Sequence, residues 1–314
     1  MKVGVVPTLH LMVLMVLMGI TSSCSVRKFA INKIGDALAE GGSTYESDDD
    51  LELVQGALPF ALKLVETMLE ESPKHRGLLF AAAQGFTSYA YLAVQQEMDR
   101  AKGVDYERED KLRARGRKLY IRAHGYGLRG IDVAHPGFSA RLLAKPREAV
   151  TVLNRKDLQL IYWTAASLGL AISCSKDDVD MIGRIPEVEA LIDRALELDE
   201  SWNGGAFHEF AIVLAGAKPG EIDYESVERH YKRVVDLSKG ANAAIHVTYA
   251  ETVHVQKQRR QEFQEVLERA LSVPPSEDHK NMRLTNELAQ RRAVWLLSRI
   301  DDLILSPVLE RETP

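Results

Sequence analysis

The chain has 314 residues, 46% of them hydrophobic, 27% charged and 7% aromatic, a balance that excludes intrinsic disorder and a polytopic membrane protein. Lys and Arg number 40 against 45 Asp and Glu, so the chain is mildly acidic and nucleic acid is not an expected partner. This length permits one large helical array or two ordinary domains.

The first 24 residues read as a leader. Lys2 is followed by an apolar run from Leu9 to Ile20, interrupted by His10, and then by Thr21-Ser22-Ser23-Cys24. That apolar core is too short to cross a hydrocarbon layer of ~30 Å as a helix, and small residues ahead of a cysteine are what lipoprotein processing needs. Residues 1–23 are therefore expected to be a signal peptide, with Cys24 the lipid-bearing first residue of the mature chain. Thr21 departs from the aliphatic residue usual at that point of a lipobox. Each buried acyl CH₂ contributes ~0.8 kcal/mol, so several chains would anchor the protein firmly. Cys174 then remains as the one thiol, and the fold must stand without an internal disulfide.

Ser47-Asp48-Asp49-Asp50 precedes the apolar run Leu51 to Leu69. It lacks the spacing of a calcium cage and reads as a helix cap whose carboxylates favour the positive end of the helix dipole. Within the run, Leu62, Val65, Met68 and Leu69 recur at three-and-four spacing, as do Leu191, Ile192, Ala195 and Leu196 further on, while strand signals are nearly absent. The body is expected to be all-α.

Arg115, Arg117, Lys118, Arg122 and Arg129 are interleaved with Tyr120 and Tyr126. This is either a solvated helix face or an anion subsite, because arginine clamps carboxylates bidentately and tyrosine lines clefts. Gly125, Gly127 and Gly130 satisfy the dinucleotide pattern G-x-G-x-x-G, but the preceding segment reads as helix, so small residues at a close helix crossing are the better reading. Leu158 to Cys174 is almost continuously apolar, contains Gln159 and Thr164 and is flanked by charge, which fits a buried central helix better than a membrane span. Tyr162-Trp163 and, further on, Trp202-Asn203 read either as core or as cleft lining. His208-Glu209 begins an H-E-x-x-H pattern whose fifth position is Ile212, and His246 and His254 have no third ligand at matching spacing, so no metal or other cofactor is expected.

Three segments share one ending: Leu191 to Asp199, Tyr231 to Ser238 and Leu267 to Pro274. Aligned on Arg194, Arg233 and Arg269, they recur at steps of 39 and 36 residues, and Leu64 to Pro73 is a fourth copy. The period approaches that of tetratricopeptide hairpins. Antiparallel helical hairpins stacked as a superhelical solenoid with a concave binding surface are thus expected over residues 24–314, as a single domain. Gly and Pro place the irregular connections near residues 40–43, 102–104, 135–137, 217–220 and 274–276.

The leader with Cys24, Phe29 to Asp36, the Ser47 to Asp50 cap, Ala57 to Glu66, Leu119 to Gly130 and Gln290 to Leu297, in this order, resemble the T-component family of tripartite ATP-independent periplasmic (TRAP) transporters. Leu51 departs from the proline expected after the cap. The resemblance implies a non-enzymatic periplasmic lipoprotein with tetratricopeptide-like hairpins that associates with a solute-binding P-component, in some cases as a homotrimer. It would help transfer a small apolar or carboxylate-bearing solute. The family supplies no catalytic residues, and only Cys24 is carried over. Neither Ser25 nor Val26 is the aspartate that retains lipoproteins in the inner membrane, which points to the outer one. Tyr120, Arg122, Tyr126, Arg129, Tyr162, Trp163, Trp202 and Asn203 are the candidate ligand contacts. The alternative is a scaffold whose concave face binds peptides or envelope proteins, and a helical hydrolase is a third reading.

Overall fold

The computed structural model describes residues 27–38 and 43–305; the expected signal peptide and its Cys24 lie outside the described residues. Every regular element among them is helical. The chain begins with α1 (27–38), followed after a single turn at Ser43–Glu46 by α2 (Leu51–Glu71) and α3 (Arg76–Tyr89, continued through a π turn at Ala90–Gln95 into Gln96–Ala101). Then come α4 (Tyr106–Ala134), α5 (Leu158–Ser173), α6 (Ile185–Asp199), α7 (Ala206–Ala217) and α8 (Tyr224–Leu237). The last three are α9 (Ala244–Tyr249, extended by a π turn at Ala250–His254), α10 (Arg260–Ser272) and α11 (Arg283–Ser298).

Local chemistry sets four of the helix starts. The Asp50 carboxylate accepts from Leu53 N at 2.9 Å, Asp105 from Arg108 N at 3.0 Å and Asp223 from Ser226 N at 3.0 Å, each satisfying an amide that the first helical turn leaves unpaired. His75 Nδ1 does the same for α3, accepting from Leu78 N at 3.1 Å. The expected connections after residue 101 and around 135–137, 217–220 and 274–276 are all non-helical breaks.

Packing sorts the helices into two layers. α3 packs on α5, α5 on α7, α7 on α9 and α9 on α11, and α11 returns to α2, which packs on α3. This makes a closed inner ring. α4, α6, α8 and α10 lie outside it, each bridging two consecutive inner helices. The three aligned repeat endings fall on α6, α8 and α10, so the shared ending marks equivalent outer helices, and the fourth copy ends α2. α5 is apolar on all sides because its ring neighbours α3 and α7 and the outer helices α4 and α6 all pack on it, with Ile161, Ala165 and Leu168 fully buried.

The glycine pattern of α4 serves that crossing. A Cβ at Gly127 would run into the Thr164 hydroxyl, and one at Gly130 would lie 2.7 Å from Leu160 Cδ2, whereas Gly125 faces open space. Two of the three glycines therefore let α4 and α5 approach closely. Arg76–Ala101 is the one described helix long and apolar enough to cross a membrane, with a mean hydropathy of 1.2; here α2, α4 and α5 pack on it.

Ion pairs lock the ring where its ends meet. Arg291 of α11 reaches Glu52 of α2 at 2.5 Å, and Arg292 reaches Asp99 of α3 at 2.7 Å and Glu251 of α9 at 2.6 Å.

Candidate functional site

The inner helices enclose a cavity with two adjoining lobes of about 260 and 270 Å³. α2, α3, α5, α7 and α11 bound the first, and α3, α5, α7, α9 and α11 bound the second. Ser88, Leu92, Tyr162, Trp163, Glu209, Leu284 and Thr285 line both, so these residues form the neck between the lobes. Leu92 and Arg292 also border a smaller polar recess of about 90 Å³ beside Gln96, Arg100 and Arg291. The walls are mainly Leu, Val, Ala and aromatic side chains, the make-up of a small-molecule pocket.

Tyr162 organises the aromatic wall. Its ring meets Trp163 edge-on at 5.1 Å, Phe207 at 5.7 Å and Phe210 at 6.3 Å, and leans on Trp202 at 5.4 Å. α5 supplies Tyr162 and Trp163, and the turn before α7 supplies Trp202 and Asn203. Asn203 holds a left-handed conformation (φ 47°), which Asn tolerates better than most residues, and it lines the first lobe. Two separate sequence pairs are thus brought to one wall: Tyr162, Trp163 and Asn203 touch the cavity, while Trp202 stands behind Tyr162.

The arginine and tyrosine constellation of α4 is not at the cavity, and no anion subsite forms from it. Tyr120 is fully buried in the core, its hydroxyl unpartnered. Arg122 pairs with Glu66 and lies 4.6 Å from the Phe86 ring centre, Tyr126 donates to Glu66 at 2.5 Å, and Arg129 donates to the Pro73 carbonyl at 3.1 Å. Arg115 and Arg117 are engaged by the Tyr89 hydroxyl and Asp178. Each of these four guanidiniums is already matched within the protein. The physical reason is that α4 belongs to the outer layer, so its polar face meets neighbouring helices and solvent rather than the lumen.

Sequence reading missed the polar groups that do face the cavity. Glu209 lines both lobes and accepts a hydrogen bond from Asn242 Nδ2 at 2.8 Å. Burial raises its carboxyl above the usual range, only partly opposed by Asn242. Glu46 is also raised by burial, against a 3.0 Å hydrogen bond from Gln84. Tyr91 and Tyr162 are pushed up by burial as well. The available signal was a single carboxylate in the otherwise apolar stretch Phe207 to Leu214, hidden by its place beside His208.

His208 Nδ1 lies 2.7 Å from His230 Nδ1, and His246 Nδ1 lies 2.9 Å from the Tyr231 hydroxyl. Among the described residues no group of three or more His, Cys, Asp or Glu is placed to hold a metal ion.

The family model of the TRAP transporter T-component matches residues 47–304. An uncharacterized protein of Treponema pallidum (strain Nichols) is 25% identical over 304 residues, spanning 90% of this chain and 94% of its own length. The match covers the inner ring, all four outer helices and the cavity wall except Leu38, Tyr45 and Glu46, and the chain belongs to the TRAP transporter T-component family.

Proposed function

We propose that this T-component is a non-enzymatic accessory that pairs with a solute-binding P-component and passes a small, largely apolar ligand through the cavity inside its ring of helices. The observation that carries this reading is the enclosed lumen itself: apolar walls, a neck at Ser88, Leu92 and Tyr162, and closure by the ion pairs of α11. A peptide-binding scaffold would want a groove open along its length, and the return of α11 to α2 closes it. Glu46 and Glu209 share a lobe, yet each is hydrogen bonded to a side-chain amide rather than to a nucleophile, an arrangement for holding a ligand rather than cleaving one.

The helix pairs read as tetratricopeptide-like hairpins in a superhelix that has closed on itself, and Tyr162, Trp163 and Asn203 are the ligand contacts. Acylation of Cys24 would hold the protein in the periplasm, with the outer membrane as the anchoring leaflet and a homotrimer as the assembly implied by the family.

Two measurements test the reading. The chain should co-purify with the P-component encoded beside it, and Ser88→Phe, which plugs the neck, should abolish ligand binding while the helical circular dichroism and the P-component complex persist. Undiminished ligand binding by the plugged variant would exclude the lumen as the path.

A further inference from the structure

Among the described residues the wall of the first lobe has no Lys, Arg or Asp; its charged side chains are Glu46 and Glu209. The second adds Glu251 and Arg292. Arg292 is already held by Glu251 at 2.6 Å and by Asp99 at 2.7 Å, and it also donates to Gln96 at 3.2 Å. Neither Glu46 nor Glu209 has a cationic partner among the described residues; their hydrogen bonds come from Gln84 and Asn242. The Asn242 amide is itself fixed, since its Oδ1 accepts from Ile245 N at 3.1 Å. Two carboxyls therefore look into an apolar chamber whose one cation is spoken for.

Aromatic faces stand beside them. Tyr162 and Trp163 border both lobes with Glu209, and Tyr45 borders the first with Glu46. A π-face attracts a cation and a carboxylate pairs with one, so both features of the wall complement the same ligand group. An anionic headgroup would meet two carboxyls and no free guanidinium or ammonium, and a neutral one would gain only an ordinary hydrogen bond.

Resting on the reading of the lumen as a ligand path, we infer that it selects an apolar molecule bearing an amine, whose ammonium sits between the Glu209 carboxylate and the Tyr162–Trp163 wall. Burial raises the Glu209 carboxyl above the ordinary carboxylate range, opposed only by the Asn242 hydrogen bond. An arriving ammonium favours the carboxylate, and any proton that Glu209 carries is released to water. An amine that arrives neutral takes that proton instead: the O–H bond breaks, the N–H bond forms, and the pair carries no net charge. This specificity stands in place of the carboxylate-bearing solute that the resemblance implies and of the anion subsite weighed on the α4 arginines.

Octylamine, octanol and octanoate carry the same apolar chain on three headgroups and are the probes, with calorimetric titration of the full chain as the readout. Octylamine should bind roughly tenfold more tightly than octanol, about the advantage of a charge-assisted hydrogen bond over a neutral one, and octanoate should bind worst. Glu209→Gln should bring octylamine down to the affinity of octanol. Comparable binding of all three, or tightest binding of octanoate, overturns the amine assignment and leaves the lumen as a ligand path. Binding of none overturns the ligand path itself, and the amine assignment with it. Because the headgroup series is measured on the unaltered chain, the outcome does not depend on the variant folding.

Discussion

Arg292 of α11 lies 2.7 Å from Asp99 of α3, so the last long helix is pinned to α3 through a guanidinium that also grips Glu251. Burial works against the charge on Arg292, but Glu251 and Asp99 outweigh it and hold the group firmly cationic. Closure of the ring thus rests on a partly desolvated charge cluster as well as on apolar contact. Arg292→Met should destabilise the fold by about 3 kcal/mol or more, because it leaves carboxylates without their partner. The check is the urea midpoint. Arg291→Ala, which removes a solvent-exposed partner of Glu52, should leave that midpoint nearly unchanged.

The α4–α5 crossing predicts opposite signs for two neighbouring glycines. At Gly125 an added methyl meets nothing within 4 Å, so Gly125→Ala should stabilise by about 0.5–1 kcal/mol through helix propensity. At Gly127 the methyl meets the Thr164 hydroxyl and lies 3.2 Å from the Thr164 Cα, and Gly127→Ala should destabilise by about 1–3 kcal/mol. Chemical denaturation of both variants decides it, and equal effects would be incompatible with the crossing described.

Acid should weaken the fold below neutral pH. Burial and the neighbouring Arg184 hold His124 at about 4, and burial with Arg269 holds His246 at about 4, both below the ordinary 6.5. The folded state therefore keeps these rings neutral while the unfolded chain takes up protons, so their contribution is complete above pH 6.5 and is lost as pH falls toward 4. Linkage sets the loss at up to about 3 kcal/mol for each ring. Denaturation midpoints measured from pH 7 to pH 4.5 should fall, and His246→Gln should flatten the slope.

Cys174 is 4% exposed, and burial raises its thiol to about 11. It should resist a thiol reagent such as dithionitrobenzoate in the native protein and react fully in urea. Fast labelling of the folded chain would show that the α5 end is open.

The proposed lipid anchor makes a prediction of its own. Processing of the full chain should be blocked by globomycin, and the mature protein should carry the mass of a lipid on Cys24. Cys24→Ser should release it to the soluble fraction.

The family and the all-helical body were legible in the chain because they rest on local rules: three-and-four apolar spacing, an acidic cap at Asp50 and a repeated helix ending. The role of Gly127 and Gly130 was legible for the same reason, since the helix before them left no place for a nucleotide loop. The binding face was not. Arg122 and Tyr126 looked like a site because they are polar and clustered, but a sequence does not say which side of a two-layer ring a helix occupies. Glu209 looked like a failed zinc motif because its meaning depends on α3, α5, α9 and α11 meeting around it. Helix formation is decided within a few turns of backbone, whereas an interior exists only once residues as far apart as Glu52 and Arg291 have come together.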